Sequence, residues 1–295
     1  MDHYRQTKTS NDYIVCDPLP TEDQLAHYYK EEFYQALKPN QINDSSLEVR
    51  DRDKVFYDIQ YGIFCTLLGL DQSPDLRHVD IGCGYGHFLD FISNNYPQVK
   101  LMGCEVFDES REFVSRIPGA DFNLLDLNDF NNFSELLANS SSISLINALE
   151  HLREPDQFLR SCFEFMPKAS KLLLQVPNDF NPIQQSCVDQ MNLDEWWFCP
   201  PRHISYFTPS SLASLCNHIG FNIDDLITTF PIDLFLLSGI NYRNDPSQGR
   251  VAHNMRLTFE KNYSASHGLS GLLSLYRHFA HAGIGREIVI VLSKP

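Results

Sequence analysis

Several things are missing from this 295-residue sequence, and each absence narrows the reading. No segment approaches the roughly 20 consecutive apolar residues that a membrane-spanning helix needs. The first residues, MDHYRQTKTS, have no apolar stretch of the kind a secretory leader carries. Positive charge is scarce: 23 basic against 38 acidic side chains leave a formal charge of −15, a field that repels a nucleic-acid backbone. There are eight cysteines, but no two are spaced as CxxC, and Cys83, Cys104 and Cys216 lie in apolar runs. That pattern reads as buried reduced thiols rather than a disulfide framework. Internal repeats and low-complexity tracts are absent too. What remains is an ordinary globular composition, expected to be cytoplasmic, with a small molecule rather than a nucleic acid or membrane as its partner.

Apolar periodicity then sets the architecture. Thr21 with Gln24 has the form of a capping box, followed by the aromatic face of Leu25, Tyr28, Tyr29, Phe33 and Leu37, so a helix is expected from there to Lys38, with a loop at 40–46. Residues 47–69 again show helical spacing. From His78 onward the pattern changes to alternating strands (77–81, 99–105, 120–124, 143–147, 171–176, 222–228 and 286–292) and helices (85–95, 108–116, 131–138, 155–165 and 209–219). Thr208, Pro209 and Gly220 sign the last of these helices as N-cap, first turn and stop. Such alternation implies a doubly wound, mostly parallel α/β sheet covered on both faces. Two stretches interrupt it: an aromatic loop at 178–207, and a second insertion at 230–285 with helical stretches near 250–261 and 268–282. The division expected is an N-terminal arm with helices (1–60), a core (61–229), a helical insertion acting as a substrate lid (230–285) and a final core strand (286–295).

The sharpest local signal is Val79-Asp80-Ile81-Gly82-Cys83-Gly84-Tyr85-Gly86-His87. An apolar strand runs into three alternate glycines and a helix follows, a turn that lets a ligand come close to backbone and to the amides at the helix start. About twenty residues on, the strand ending Gly103-Cys104-Glu105 places a carboxylate where two ribose hydroxyls could be held. Asp126, after the next strand, is placed to meet an adenine amine. A nicotinamide dinucleotide enzyme would show GxGxxG, but after Gly82 and Gly84 the third position, 87, is His. That class, and a non-catalytic scaffold on the same fold, stay as alternatives.

The segments HVDIGCGYGHFL, GCE, ISLINALEHLREP and LLLQVPN together resemble the class I S-adenosylmethionine-dependent methyltransferases. The resemblance covers roughly residues 60–228 and the closing strand. It implies a Rossmann-like methyltransferase fold, a seven-stranded sheet with the last strand antiparallel, and S-adenosylmethionine as cofactor. Carried onto this chain, it implies a cofactor set of Asp80, Gly82, Cys83, Gly84, Tyr85, Gly86, Glu105, Val106, Asp126, Leu127, Asn147, Ala148 and Leu149. Asp80 steadies the glycine loop and meets the methionine amino group, and Glu150 and His151 follow on the methionine side. The run from Arg202 to Phe221 is similar to a subgroup that methylates sugars or secondary metabolites. That subgroup has a second histidine where this chain has Ser205. The blocks PIDLFLLSGINYRND and GIGREIVIVLSK also resemble enzymes of surface-carbohydrate methylation. YIVCDPLPTEDQLAHYY resembles the end of a metal-binding lead-in whose cysteine pairs are missing here.

A sulfonium methyl group is already activated, so alignment and exclusion of water are the main demands, and a hydroxyl acceptor must also lose a proton. His203 is the first candidate base, His151 the second, and Tyr206 a candidate for positioning the acceptor. Trp196 and Trp197 are candidate walls of the acceptor pocket. Tyr242, Arg243, Arg250 and His253, with Arg256, could clamp a phosphate if the acceptor is a nucleotide-linked sugar. No metal constellation is visible in the spacing of histidines and carboxylates. The expectation is thus methyl transfer to a hydroxyl of a sugar-like or nucleotide-linked small molecule, with the oligomeric state left open.

Overall fold

The computed structural model describes residues 4–29, 31, 51–72, 75–127 and 133–295. The sheet order is the one that alternating βα units dictate. Seven strands, β3 (Arg77–Ile81), β4 (Lys100–Glu105), β5 (Ala120–Leu124), β6 (Ser142–Ile146), β7 (Lys171–Pro177), β9 (Asn222–Thr228) and β10 (Glu287–Ser293), lie in the order β5-β4-β3-β6-β7-β10-β9. All neighbours are parallel except those of β10, which is antiparallel to both β7 and β9. The order reverses between β3 and β6, and the crevice beyond the carboxyl ends of those two strands is where such sheets bind ligands.

Side-chain alternation splits the apolar runs between two layers. Leu172 and Leu174 of β7, with Ile288, Ile290 and Leu292 of β10, enter one core. That core is covered by α5 (Phe133–Leu137), α6 (Pro155–Phe165) and α8 (Pro209–Ile219). Leu173, Val289 and Val291 enter the other, beneath α2 (Asp51–Leu68), α3 (His87–Asn95) and the long α10 (Pro246–His281). A strand buried on both faces has no polar alternation to show, which is why LLL and IVIVL read as continuous apolar runs. Between β4 and β5 lies the short α4 (Ser110–Val114), and between β9 and α10 the single turn α9 (Leu234–Leu237). α10 is interrupted at Gly268, whose φ of 68° and ψ of 175° divide it into two arms.

Helix signals behave as their chemistry requires. Thr208 accepts from the Ser211 amide, Pro209 opens α8, and Gly220 closes it in the left-handed region. Thr21 and Gln24 bond reciprocally at the start of α1 (Glu22–Tyr28). The expected continuation to Phe33, Leu37 and Lys38 and the loop at 40–46 lie outside the described residues. Two features differ from expectation. The stretch at 178–207 is not all loop: α7 (Pro182–Met191) begins with a capping box between Asn181 and Gln184 and Pro182 at its first position. The polar N-terminal arm forms β1 (Arg5–Lys8) and β2 (Ile14–Asp17), and β2 pairs with β8 (Ser205–Tyr206) in a second, three-stranded sheet. Among the described residues no helix is long and apolar enough to cross a membrane.

Candidate functional site

The glycine turn sits at the carboxyl end of β3, and each glycine has its own reason. All three are left-handed, with φ of 71°, 52° and 82° at Gly82, Gly84 and Gly86. A Cβ on Gly82 would lie 3.0 Å from Ala148 Cβ, and one on Gly86 would lie 2.8 Å from Ile117 Cδ1. Among the described residues a Cβ on Gly84 would meet nothing within 4 Å, so of the three glycines in the turn this is the one beside open space. Glu105 closes the turn from the neighbouring strand: its Oε2 accepts from the Gly84 amide at 2.9 Å and its Oε1 from the Val106 amide at 2.8 Å. The carboxylate is buried at the crevice edge.

The turn's own amides are largely spent. Gly82 and Cys83 donate to the Cys104 carbonyl, Gly86 to Cys83, and Gly84 to Glu105. The turn itself offers a bare Cα at Gly84 and the carboxylate beside it, ahead of the amides at the start of α3. Two expectations about side chains are corrected. Leu149 is fully buried in the apolar core, so its side chain cannot line a pocket. Cys83 also packs inward, near Gly103. Tyr85 is buried edge-on against Phe113, Val106 and Asp126 are exposed, and Leu127 is half-buried.

Asp80 is held from below. Ser144 donates to its Oδ1, and His78 spans Ser142 and Ser144 with its two ring nitrogens at 2.9 and 3.0 Å. Burial pushes the Asp80 carboxyl up to about 7, against the Ser144 hydrogen bond and with the Glu105 charge adding to the rise. Burial alone lowers His78 to about 3, so it stays neutral. Across the crevice, Asn147 is held with φ of 52° by a ladder in which Gln175 donates to Asn147 Oδ1 and Gln60 of α2 donates to Gln175. Ala148 is buried beside Gly82. Asp80, Gly84, Glu105 and Asn147 thus lie at the carboxyl ends of the neighbouring strands β3, β4 and β6.

The second half of the site forms where the segment after β6 meets the loop before β8. Ile204 donates its amide to the Glu150 carbonyl, and Cys16 of β2 donates to the Ile204 carbonyl. These ties bring the His151 and His203 rings to a centroid distance of 5.1 Å, edge to face. Glu150, His151 and His203 each present a ligand-type atom, all within 4.8 Å of one another. The spacing in sequence did not announce this group, because fifty-odd residues separate His203 from the other two. Glu150 is 2 % exposed, and burial, ahead of the Glu287 and Asp179 charges, raises its carboxyl well above the usual range. Burial lowers His151 to about 4 and His203 to about 3, with Arg202 adding to both and Arg286 to the second. Tyr29, which sequence reasoning did not single out as a site residue, stacks edge-on over His151 and lies close enough to both Glu150 and Glu105 to feel their charges.

Tyr206 is not free to position an acceptor. Its hydroxyl donates to the His203 carbonyl at 2.6 Å and accepts from the Cys199 amide at 3.2 Å, so it closes the loop that carries His203. Ser205 is buried with its hydroxyl on the Leu152 carbonyl. Trp197 is buried against Phe180, and Trp196 meets Trp197 edge to face, with the Arg243 guanidinium 5.2 Å from the Trp196 ring centroid. Tyr242 packs in that same cluster and donates to Asp233. Asp233, Asp179, Glu287 and Arg286 form a charged group around it. Burial lifts Asp179 to about 7 in spite of Arg286. The arginine clamp does not assemble. Arg250 is exposed, His253 lies edge-on to Phe56, and Arg256 is buried, ion-paired with Glu260 at 3.0 Å and lying over the Phe56 ring. Six residues turn a helix through about 600°, so positions 250 and 256 stand about 120° apart rather than on one face.

Residues 53–226 match a protein family described as a methyltransferase domain. No curated protein sequence matches the chain. Among solved structures, the [4+2]-cyclase SpnF is similar at a TM-score of 0.58 and 14% identity, over 94% of this chain and 98% of that one. The cyclopropane synthase MmaA2 from Mycobacterium tuberculosis follows at 0.54 and 18%, over 94% and 100%. The plantazolicin methyltransferase BpumL, solved with a desmethylPZN analog and SAH, follows at 0.53 and 14%, over 92% and 93%. At these identities the likeness is one of fold.

Proposed function

Since the chain belongs to the methyltransferase-domain family, we propose that it moves the methyl group of S-adenosylmethionine to a hydroxyl of a small sugar-like or nucleotide-linked molecule. S-adenosylmethionine is the cofactor this family implies, and when bound it supplies a methyl group already activated on a cationic sulfur. The observation that carries the reading is the pairing of open space at Gly84 with the Glu105 carboxylate bonded to the same residue's amide. A flat ligand can lie on a backbone without a Cβ, and a carboxylate can accept from two adjacent hydroxyls at once. The residues present therefore fit an adenosyl group.

Each side chain then has a task. Glu105 holds the ribose diol. Asp80, rigid on Ser144 and His78, receives the ammonium of the methionine part. Asn147, fixed by the Gln60–Gln175 ladder, borders the methionine side. The acceptor lies on the far side, beside Glu150, His151 and His203 and beneath the 230–285 insertion that contributes Asp233 and Tyr242. Support for a polyhydroxylated acceptor comes from the buried Glu150, Asp179 and Asp233 and the half-buried Glu287, which can accept from several hydroxyls. Arg286 is the cation set among them. With both imidazoles pushed far below neutrality, His151 and His203 are neutral at pH 7 and weak as free bases, so they orient the acceptor oxygen more than they titrate.

The test is calorimetry with S-adenosylhomocysteine followed by transfer of a labelled methyl group to a panel of free and nucleotide-linked sugars. Saturable cofactor binding with label on a hydroxyl is the expected result. Absence of binding at millimolar ligand would sink the reading. Label appearing only on amines or carbon would overturn the acceptor class.

A further inference from the structure

We propose that Glu150, His151 and His203 form a binding site for one divalent transition-metal ion of the zinc class, with a coordination position left open toward the crevice. The argument begins with the ligand atoms. The His151 Nδ1 lies against the Arg202 carbonyl, which can only accept, so Nδ1 carries the proton and Nε2 presents its lone pair. An imidazole whose other nitrogen donates to a backbone carbonyl is oriented as metal-bound histidines are. His151 Nε2 stands 3.8 Å from Glu150 Oε1, too far for a hydrogen bond and close enough for both to reach one ion.

The second observation is independent of that geometry. Among the described residues Glu150 Oε2 and His203 Nδ1 are buried with no hydrogen-bond partner, and Glu150 is 98% covered. Orphaned polar atoms in the interior are rare and costly, and two of them in one group of three need an explanation. An ion satisfies both at once. Two imidazoles and one carboxylate suit zinc and its neighbours, and three protein ligands leave room for a fourth. His151 has a side chain 16% exposed and His203 is half-buried, so the group is reachable. Charges facing it are mixed. Arg202 and Arg286 oppose a cation, whereas Glu287 and Asp179 add to Glu150 in favour of one.

The role of the ion rests on the methyl-transfer reading, but its binding does not. A hydroxyl in the open position would lose its proton to solvent water, the O–H bond breaking and its electron pair staying on oxygen, at a pH where the free alcohol stays protonated. That supplies the deprotonation for which the two imidazoles alone are too weak.

The experiment uses the full chain, stripped with a chelator and titrated with zinc chloride, with bound metal counted by mass spectrometry. One zinc per chain with micromolar or tighter affinity is expected, together with a rise in Tm. A cobalt-loaded sample should show the visible absorption of a low-coordinate site. Glu150→Gln and His203→Asn should each weaken zinc binding at least tenfold and abolish the cobalt band, while circular dichroism and S-adenosylhomocysteine affinity stay as in the parent. His281→Ala, on an exposed helix end, should change nothing. No stoichiometric zinc, or zinc retained equally by both site variants, overturns the proposal. Cofactor binding without zinc would discard the ion and keep the methyl-transfer reading. Zinc binding without any cofactor affinity would keep the site and discard that reading.

Discussion

Gly84 separates two properties that substitutions at a glycine turn usually change together. Alanine at Gly84 must adopt φ of 52°, which costs an L-residue about 1–2 kcal/mol. Its methyl group meets no atom of the described residues within 4 Å, so no packing strain from them adds to that figure. Alanine at Gly86 bears the same backbone cost and places its methyl 2.8 Å from Ile117 Cδ1 and 3.1 Å from Val114 Cγ2, overpacking worth a further 1–3 kcal/mol or so. Thermal melts should therefore rank Gly84→Ala only a few degrees below the parent and Gly86→Ala well below it. Cofactor affinity should follow the opposite order. The Gly84 methyl enters the space an adenosyl group needs and holds it away from Glu105. Each charge-assisted bond so lost is worth about 1.5–3 kcal/mol, so two bonds make a loss of at least about a hundredfold. Calorimetry with S-adenosylhomocysteine reads the affinity. A Gly84→Ala protein binding within threefold of the parent would refute the placement of the ligand on that turn.

Three other outcomes follow from the same geometry. The Asp80 carboxyl stands at about 7 and must be ionised to receive an ammonium, so cofactor affinity should fall about tenfold per pH unit below 7 and level off above it. Binding near pH 6.5 should then release a proton, seen as a heat that varies with the buffer; a flat profile from pH 5.5 to 8 contradicts this. Glu105→Gln keeps the shape but sets an amide NH2 against one of the two backbone N–H donors, so a loss of about ten- to a hundredfold in affinity and about 1–3 kcal/mol in stability is expected by calorimetry and denaturant melts. Tyr206→Phe removes the tie between the Cys199 amide and the His203 carbonyl, so kcat should fall while cofactor affinity is retained; an unchanged kcat would show that the loop holds its shape without the hydroxyl.

The parts of the molecule legible in the sequence are those fixed by local rules. The strand at Arg77–Ile81, the helix at Pro209–Ile219 with its Thr208 cap, and the three-glycine turn depend on period, capping and φ, all written within a few residues. The α7 helix was legible in principle, since Asn181-Pro182 with Gln184 is a capping signal, but the aromatic residues around it drew attention to a loop instead. Other features needed the fold. The strands β1 and β2 are four residues each, and β1 is exposed throughout, so they carry almost no apolar signature. Arg256 looked like a ligand-binding cation until its partner Glu260 was found beside it in the interior. The Glu150, His151 and His203 group arises only because the topology sets the end of β6 against the loop before β8.

The pairing of Ile14 with Tyr206 and of Val15 with Ser205 has a consequence for how the molecule matures. The nucleoside crevice closes through a contact between residues only 21 apart, Gly84 and Glu105. The edge that carries His203 waits for β2, at residues 14–17, to find a loop made two-thirds of the way along the chain. Closing so long a stretch is slow compared with forming local contacts. A refolding sample should therefore regain the capacity to hold an adenosyl ligand before it regains turnover, with an interval in which the protein is loaded but idle.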